Sequence, residues 1–525
     1  MAAADVPRAD VTSSRRLDVL APDPSVAPDR VVVHAPDRDW TAAELAASSA
    51  ALAAVLGDAG LQVGGLVAVM LPNGGEVVAA LFGVWKAGAA YLPLNPRLTD
   101  VEVQRLVSGQ APAVVVTTPE LAERVPAGPA TVVAVGDGGW ALARSAHRTA
   151  EPAKLGADVA LVQLTSGTTG PPKAVPLHHG NVVDLMDQVL AKIGATPPEP
   201  GQPVDGAMPN LVPVSLSLWA GLYNVLFAFR VGAPAVVMGR FDPAAFAGLV
   251  ERFGIRSTVL PPAAMSMLAD EPSIETLAPL RYVRSITAPL SPAEARRFAD
   301  RFGVSVLNSY GQTELGGEIV GWNAADSRAH GREKLGSVGR PHEGVRLRVV
   351  DANGAVVDTD EVGEIVVRTT AMDRGDSAAL TLTERLTADG WFRTGDLGRI
   401  DPDGFVWIEG RVSDLIIRGG NKVFPGEVEE VVRSAPGVRE VAVVGAPDTR
   451  LGEVPVAFVA PIGGAVLDAA ALEAHCRSRL VAYKVPVRFE VVSALPRNEV
   501  GKVLGRELVA RLADRPPPHP EETPS

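Results

Sequence analysis

The sequence predicts an α/β protein, a large layered N-terminal body followed by a small α+β unit, because its hydrophobic texture changes twice along the chain. Up to about residue 340, short Val- and Leu-rich runs such as "LVAVML", "AYLPL", "AVVVTT" and "ALVQLT" show little alternation, and helical patterns such as "GEVVAALFGVWKAG" and "TDVEVQRLV" lie between them. Strands apolar on both faces, joined by crossover helices, make parallel sheets covered on both sides. From there to near Gly410, "VRLRVVD", "GEIVVRT" and "FVWIEG" alternate apolar with polar residues between turns, the pattern of a half-exposed antiparallel section. The organisation expected is a flexible leader over 1–25, a large domain over 26–411, a small domain over 412–512 and a disordered tail over 513–525.

Individual elements have local reasons. In "WTAAELAASSAALAAVLGDAG", Thr41 stands three residues ahead of Glu44, a capping box that starts a helix, and Gly60 lies near its end. The uncharged stretch Val212 to Phe229 approaches the length of a membrane span, but Pro213, Ser215, Ser217, Gly221 and Asn224 interrupt it. A buried element beside a pocket fits it better, reached through the surface loop "ATPPEPGQPVDGAMPN". In the small unit, "VFPGEVEEVVRSAPGV" predicts a helix with Pro425 in its first turn, followed by the strands "REVAVVGAP" and "VPVAFVAP" and a helix around "AALEAHCRSRL".

Composition excludes several classes. The 525 residues are 47% hydrophobic and 21% charged, ordinary for a globular enzyme, and a net charge of -12 argues against nucleic acid or an anionic membrane as the main partner. A single cysteine, Cys476, rules out an internal disulfide and has only His475 nearby as a metal partner, so it is expected to be a packing residue. The N-terminal residues lack the apolar core of a signal peptide, which suggests a cytoplasmic protein. A homodimer stays open.

The segment "LTSGTTGPPKAV", 164 to 175, carries the first chemical signal. Hydroxyls and glycine-freed backbone N–H groups can form a nest for an anion, and Lys173 adds a point charge. A Walker loop needs its lysine directly after the second glycine, whereas two prolines follow Gly170 here, so a standard P-loop is excluded.

In the company of "KAGAAYLPLNP" (86–96), "NSYGQTE" (308–314), "GEIVVR" (363–368), "WFRTGDLG" (391–398), "GRVSDLIIRGGNKVFPGEVEEV" (410–431) and "PRNEVGKVLGREL" (496–508), this loop resembles the core motif of the AMP-forming acyl-adenylating superfamily. That superfamily includes acyl- and aryl-CoA synthetases, luciferases and peptide-synthetase adenylation domains. The motifs fall in the family's order, and the resemblance covers about residues 30 to 510.

The resemblance implies roles that chemistry makes sensible. Thr165, Ser166, Gly167, Thr168, Thr169, Gly170 and Lys173 would hold the β- and γ-phosphates of ATP, and Asn308, Tyr310 and Gly311 would flank the adenine, with Tyr310 as a stacking ring. Thr313 would reach the α-phosphate and Glu314 would offer an oxygen to Mg²⁺. Asp396 and Arg411 would bind the ribose hydroxyls. Lys502 would bridge the substrate carboxylate and the phosphate, where two anions must be brought together. Gly419, Gly420 and Lys484, the last in "AYKVP", would line a CoA channel, and the small domain would swing about a hinge at Ser413.

The implied reaction converts a carboxylic acid to acyl-AMP with release of pyrophosphate, then to a thioester of CoA. Two alternatives stand beside it: transfer of the acyl group to a carrier-protein thiol or a separate thioesterifying partner, and a non-catalytic nucleotide-binding relative. The sequence departs from the family at Ser413, usually Asp or Lys. It departs again at Ile286 and Thr287, which replace a Gly-Gly pair, and in "VPVSLSLWAGL", which lacks the family's histidine near Leu216. Leu216, Trp219, Ile286, Thr287 and Gly316 are therefore expected to form a reshaped, apolar acyl pocket for a bulky hydrophobic acid. No Asp lies between Met208 and Arg230 to pair with an α-amino group, which argues against an amino-acid substrate.

Overall fold

The computed structural model describes residues 16–128, 130–146, 151–165, 173–375, 377–463, 465–497 and 503–513. A seven-stranded sheet runs in the order Gly139–Arg144, Thr131–Gly136, Val114–Thr117, Leu66–Met70, Ala90–Pro93, Val159–Thr165, Lys173–His178. Its interior pairings are parallel and only its two edge pairings are antiparallel. The strands Leu66–Met70, Ala90–Pro93 and Val114–Thr117 are buried at every residue, which is why they read as unbroken apolar runs. The helix Gly75–Lys86 is buried at ten of its twelve residues, Gly75 and Val77 to Trp85, because it packs between this sheet and the helix Ala42–Asp58.

Two smaller sheets continue the body. The strands Asn210–Val212, Ala235–Val237 and Val31–His34 pair in parallel, with Asp39–Thr41 antiparallel at the edge, and Ser257–Leu260, Tyr282–Ser285 and Ser305–Asn308 form a parallel trio. An antiparallel trio of Tyr310–Gln312, Gly317–Gly321 and Arg340–Pro341 follows. The predicted antiparallel section is a four-stranded sheet of Val345–Val350, Gly363–Thr369, Phe392–Ile400 and Val406–Arg411.

The small unit has its own core around Val428, Val432, Val443, Val459 and Cys476, over a sheet centred on the long hairpin Val438–Asp448 and Gly452–Pro461. Its helix Pro425–Arg433 carries Pro425 in the first turn and begins beside Glu409 of the large body's last strand. Thr41 and Glu44 form the full capping box. The stretch after Val212 becomes the helix Trp219–Arg230, and no helix among the described residues is long and apolar enough to cross a membrane.

Two boundaries differ from the sequence expectation. The leader was placed over 1–25, but Leu17–Leu20 forms a 3₁₀ turn whose Leu17 and Leu20 are fully buried, and Leu17 N–H donates to Nδ1 of His179 at 3.1 Å. Leucines flanked by Asp18 and Val19 are too few to register as a helical or strand period, so the sequence hides the docking. The tail expected from 513 adjoins the helix Gly505–Ala513, and residues 514–525 lie outside the described ones.

Burial pushes the His179 imidazole down to about 3, so it stays neutral and keeps the lone pair that Leu17 needs. Between that value and the ordinary histidine pKa of about 6.5 the unfolded chain binds a proton that the folded chain refuses. Stability contributed here is present above about pH 6.5 and falls as pH drops towards 3, by at most about 1.4 kcal/mol per pH unit. Urea denaturation at pH 7.0 and 5.0 is expected to show this loss, and His179→Gln should flatten the difference while lowering stability at pH 7.0. An unchanged slope in the variant would assign the acid sensitivity elsewhere.

Candidate active site

The residues picked from the sequence converge where the antiparallel trio meets the four-stranded sheet. The strand Tyr310–Gln312 ends in a 3₁₀ turn, Thr313–Leu315, closed by Gly316 at φ +92°. Gly311 has no alternative: a Cβ there would stand 1.9 Å from the Gly317 carbonyl oxygen across the pairing. A Cβ at Gly316 would stand 2.8 Å from Nδ2 of Asn181.

Asp396, 5% exposed in the strand Phe392–Ile400, is the centre of the site. Its Oδ2 accepts from the Tyr310 hydroxyl at 2.7 Å and from Gln312 Nε2 at 2.5 Å, and Arg411 Nε lies 3.2 Å from Oδ1. Tyr310 is therefore fixed by its hydroxyl as well as by its ring, and burial pushes its phenol well up, with the Asp396 charge adding to the effect. Asn308 is buried one strand away and accepts from Ser309 N–H at 3.1 Å.

Arg385, which no sequence motif flagged, joins this centre to Glu314. Its Nη1 donates to Glu314 Oε1 at 3.2 Å, Nη2 to Gln312 Oε1 at 3.4 Å and Nε to the Arg393 carbonyl at 2.9 Å, and Nη2 also bonds the Thr394 carbonyl. The guanidinium stacks 4.3 Å over the Phe392 ring, and Ser377 Oγ donates to the Glu314 carbonyl at 3.3 Å. Among the described residues, Glu314 Oε2 takes no hydrogen bond or ion pair. Gln312 lies inside "NSYGQTE" without a role the motif assigns it, and Arg385 sits in "LTLTERL", which has no period or motif to mark it.

Of the phosphate loop, Thr165 ends the strand Val159–Thr165 and Lys173 begins the antiparallel strand opposite. Ser166, Gly167, Thr168, Thr169 and Gly170 lie outside the described residues, as does Lys502. Lys173 is exposed and stands 3.7 Å from Glu384, the neighbour of Arg385.

The expected acyl wall assembles in part. Leu216 and Trp219 are buried, Trp219 Nε1 donates to the Gly316 carbonyl at 2.9 Å, and Ile286 packs against the same core. Asn73 holds the wall segment in place, accepting from Leu216 N–H at 2.8 Å and donating to the Val214 and Met238 carbonyls. Thr287 departs from the expectation: it is exposed and keeps φ +72°, a conformation natural to the glycine it replaces.

In the small unit, Ser413 lies in the 3₁₀ turn Val412–Asp414 and donates to Asp414 Oδ1 at 2.8 Å. Gly419 and Gly420, at φ +56° and +84°, turn the hairpin between Ile416–Arg418 and Asn421–Val423. Lys484 is held by Glu427, with Nζ 2.7 and 2.6 Å from the carboxylate oxygens, so it is not the free cation a channel lysine would be.

The AMP-binding enzyme family matches residues 22–375 and the AMP-binding enzyme C-terminal domain matches residues 427–502. An indoleacetate–CoA ligase of Aromatoleum aromaticum is 33% identical over 507 residues, covering 92% of this chain and 96% of its own, and a feruloyl-CoA synthase of Amycolatopsis sp is 34% identical over 481 residues, covering 90% and 94%. The ATP-bound crystal structure of MatB from Rhodopseudomonas palustris superposes with a TM-score of 0.79 at 27% identity, over 95% of this chain and 99% of that one. The chain therefore belongs to the AMP-binding enzymes, and it is an AMP-forming acid–thiol ligase.

Proposed function

We propose that the site joins a carboxylic acid to AMP and then to the thiol of CoA, with Asp396 and Arg411 on the ribose, Thr313 and Glu314 at the phosphates and Lys502 at the bond being made. The observation that supports this most is the continuous run of one ion pair and three hydrogen bonds through Arg411, Asp396, Gln312, Arg385 and Glu314, which would link a ribose-binding pair to a phosphate-facing carboxylate. Both Asp396 oxygens are already engaged, so the ribose hydroxyls would share the carboxylate with Tyr310 and Gln312, in an orientation those donors have set.

Glu314 suits Mg²⁺. The ion usually takes one or two carboxylates together with substrate phosphates and water, not an all-protein cage. Here Arg385 occupies Oε1 and Oε2 has no partner among the described residues, where no cluster of three His, Cys, Asp or Glu side chains forms a cage. Bound there, the ion would offset phosphate charge. Arg385 would act as a positioning residue by fixing the rotamer of Glu314 and the amide of Gln312.

Acid-dependent ATP–pyrophosphate exchange tests the first half-reaction and CoA thioester formation the second. Exchange absent with every acid of a broad panel sinks the reading. Exchange followed by transfer to a phosphopantetheine-bearing carrier but not to CoA favours the carrier alternative. Lys502→Ala is expected to abolish exchange and to spare thioester formation from supplied acyl-AMP; equal loss of both would refute the role given to Lys502. Arg385→Gln removes a charge-assisted bond worth about 1.5–3 kcal/mol. It should raise the Mg²⁺ concentration needed for half-maximal nucleotide binding by calorimetry roughly 10-fold or more, with Arg385→Lys in between and thioester formation from acyl-AMP little changed. A variant that loses both half-reactions together would make Arg385 a prop of the fold.

A further inference from the structure

Behind the Trp219 wall lies a polar cluster that no motif of the nucleotide site uses. Arg284 Nη1 stands 3.3 Å from Glu318 Oε2, and His342 Nε2 stands 3.1 Å from Glu318 Oε1. Burial pushes the Glu318 carboxyl up, and Arg284 and His342 together more than offset this and hold it below its ordinary value, so it is a buried carboxylate. Lys192 clamps the strand before His342, its Nζ 3.0 Å from both the Arg340 and Pro341 carbonyls.

Tyr223 adjoins this cluster and the acyl wall together. Its ring meets that of Trp219 edge-on at 5.7 Å, and Glu318 and Arg284 are among its electrostatic neighbours. Its hydroxyl is buried and has no hydrogen-bond partner among the described residues; the same holds for Ser285 Oγ, beside Ile286, and for Asn181 Nδ2, beside Gly316. A buried hydroxyl left unpaired costs about 1–3 kcal/mol, and groups of this kind call for an explanation. The side chains of Arg284 and Glu318 keep 21% and 13% of their surface accessible although they pair with each other.

We propose that this cluster is a distal subsite for a neutral oxygen function of the acid, an alcohol or phenol hydroxyl, received by Tyr223, Glu318 and Arg284. It rests on the proposal that the acid lies along Leu216, Trp219 and Ile286. A hydroxyl can donate to the accessible part of Glu318 and accept from the Tyr223 hydroxyl, completing both. A second carboxylate would face Glu318 at close range, and a plain hydrocarbon end would strand the same polar atoms without water. The acid proposed here is apolar along its body, as the expected apolar pocket for a bulky hydrophobic acid implies, and polar at its end.

Matched acids that differ by one distal hydroxyl test this: 3-phenylpropanoate against 3-(4-hydroxyphenyl)propanoate, and octanoate against 8-hydroxyoctanoate, in pyrophosphate exchange. A site built to bond a hydroxyl discriminates strongly against the analogue lacking it, so kcat/KM for the better hydroxy acid should exceed that of its partner by ~100-fold or more. Tyr223→Phe removes a hydroxyl that has no partner among the described residues, and the melting temperature should therefore hold or rise. In the same variant KM for the hydroxy acid should rise roughly 10-fold while values for the deoxy acid stay. Exchange that treats the members of both pairs alike, or a Tyr223→Phe effect equal on both members, overturns the subsite and leaves the ligase reading standing. No exchange with any acid overturns the ligase reading and the subsite with it.

Discussion

The carboxylate of Asp396 is the constraint on which the rest of the site depends. A buried carboxylate carries a desolvation cost of several kcal/mol unless it is paired and hydrogen-bonded. Here the partners come from different parts of the chain: Tyr310 and Gln312 from the antiparallel trio and Arg411 from the last strand before the small unit. Satisfying one charge thus fixes where two sheets meet and where the small unit begins. The Thr394 hydroxyl, donating to the Ile365 carbonyl and accepting from Asp396 N–H, ties the same residue back into the four-stranded sheet.

What the sequence made legible was whatever depends on local order. The capping box at Thr41 and Glu44, Pro425 in a first helical turn and the alternation of "VRLRVVD" each follow from neighbours in the chain. The motif residues Tyr310, Glu314, Asp396 and Arg411 were legible because the family spaces them consistently, and they do come together. Arg385, Tyr223, Glu318 and His342 were hidden for one reason. Each acquires its meaning from a partner far along the chain, and no short window holds both members of Arg385 with Glu314 or Tyr223 with Glu318. Lys484 is a further case of a distant partner: the motif that holds it says nothing of Glu427, from another element, which pairs with its charge.

Thr287 shows a turn's geometry outlasting the residue that suits it. A β-branched side chain at φ +72° carries strain of about 1–3 kcal/mol, which surrounding structure must impose. The turn follows the strand Tyr282–Ser285, whose Ser285 pairs with Asn308 just ahead of Tyr310. Relaxing Thr287 would disturb the end of that strand and, through it, the start of the segment that carries Tyr310.

The acid and nucleotide halves of the site are not independent. Trp219, the wall of the proposed acyl pocket, donates its indole N–H to the carbonyl of Gly316, the residue that closes the turn carrying Glu314. On the nucleotide side the same turn is held by Arg385 and Ser377. An acid that seats its polar end at Tyr223 bears on Trp219 through the ring contact, and Trp219 bears on the Glu314 turn through one buried hydrogen bond. If the acid and the phosphates lie as proposed, recognition at the far end of the acid has a short mechanical route to the Glu314 carboxylate. The binding energy of the distal group can be expressed at the reacting bond and not only in affinity.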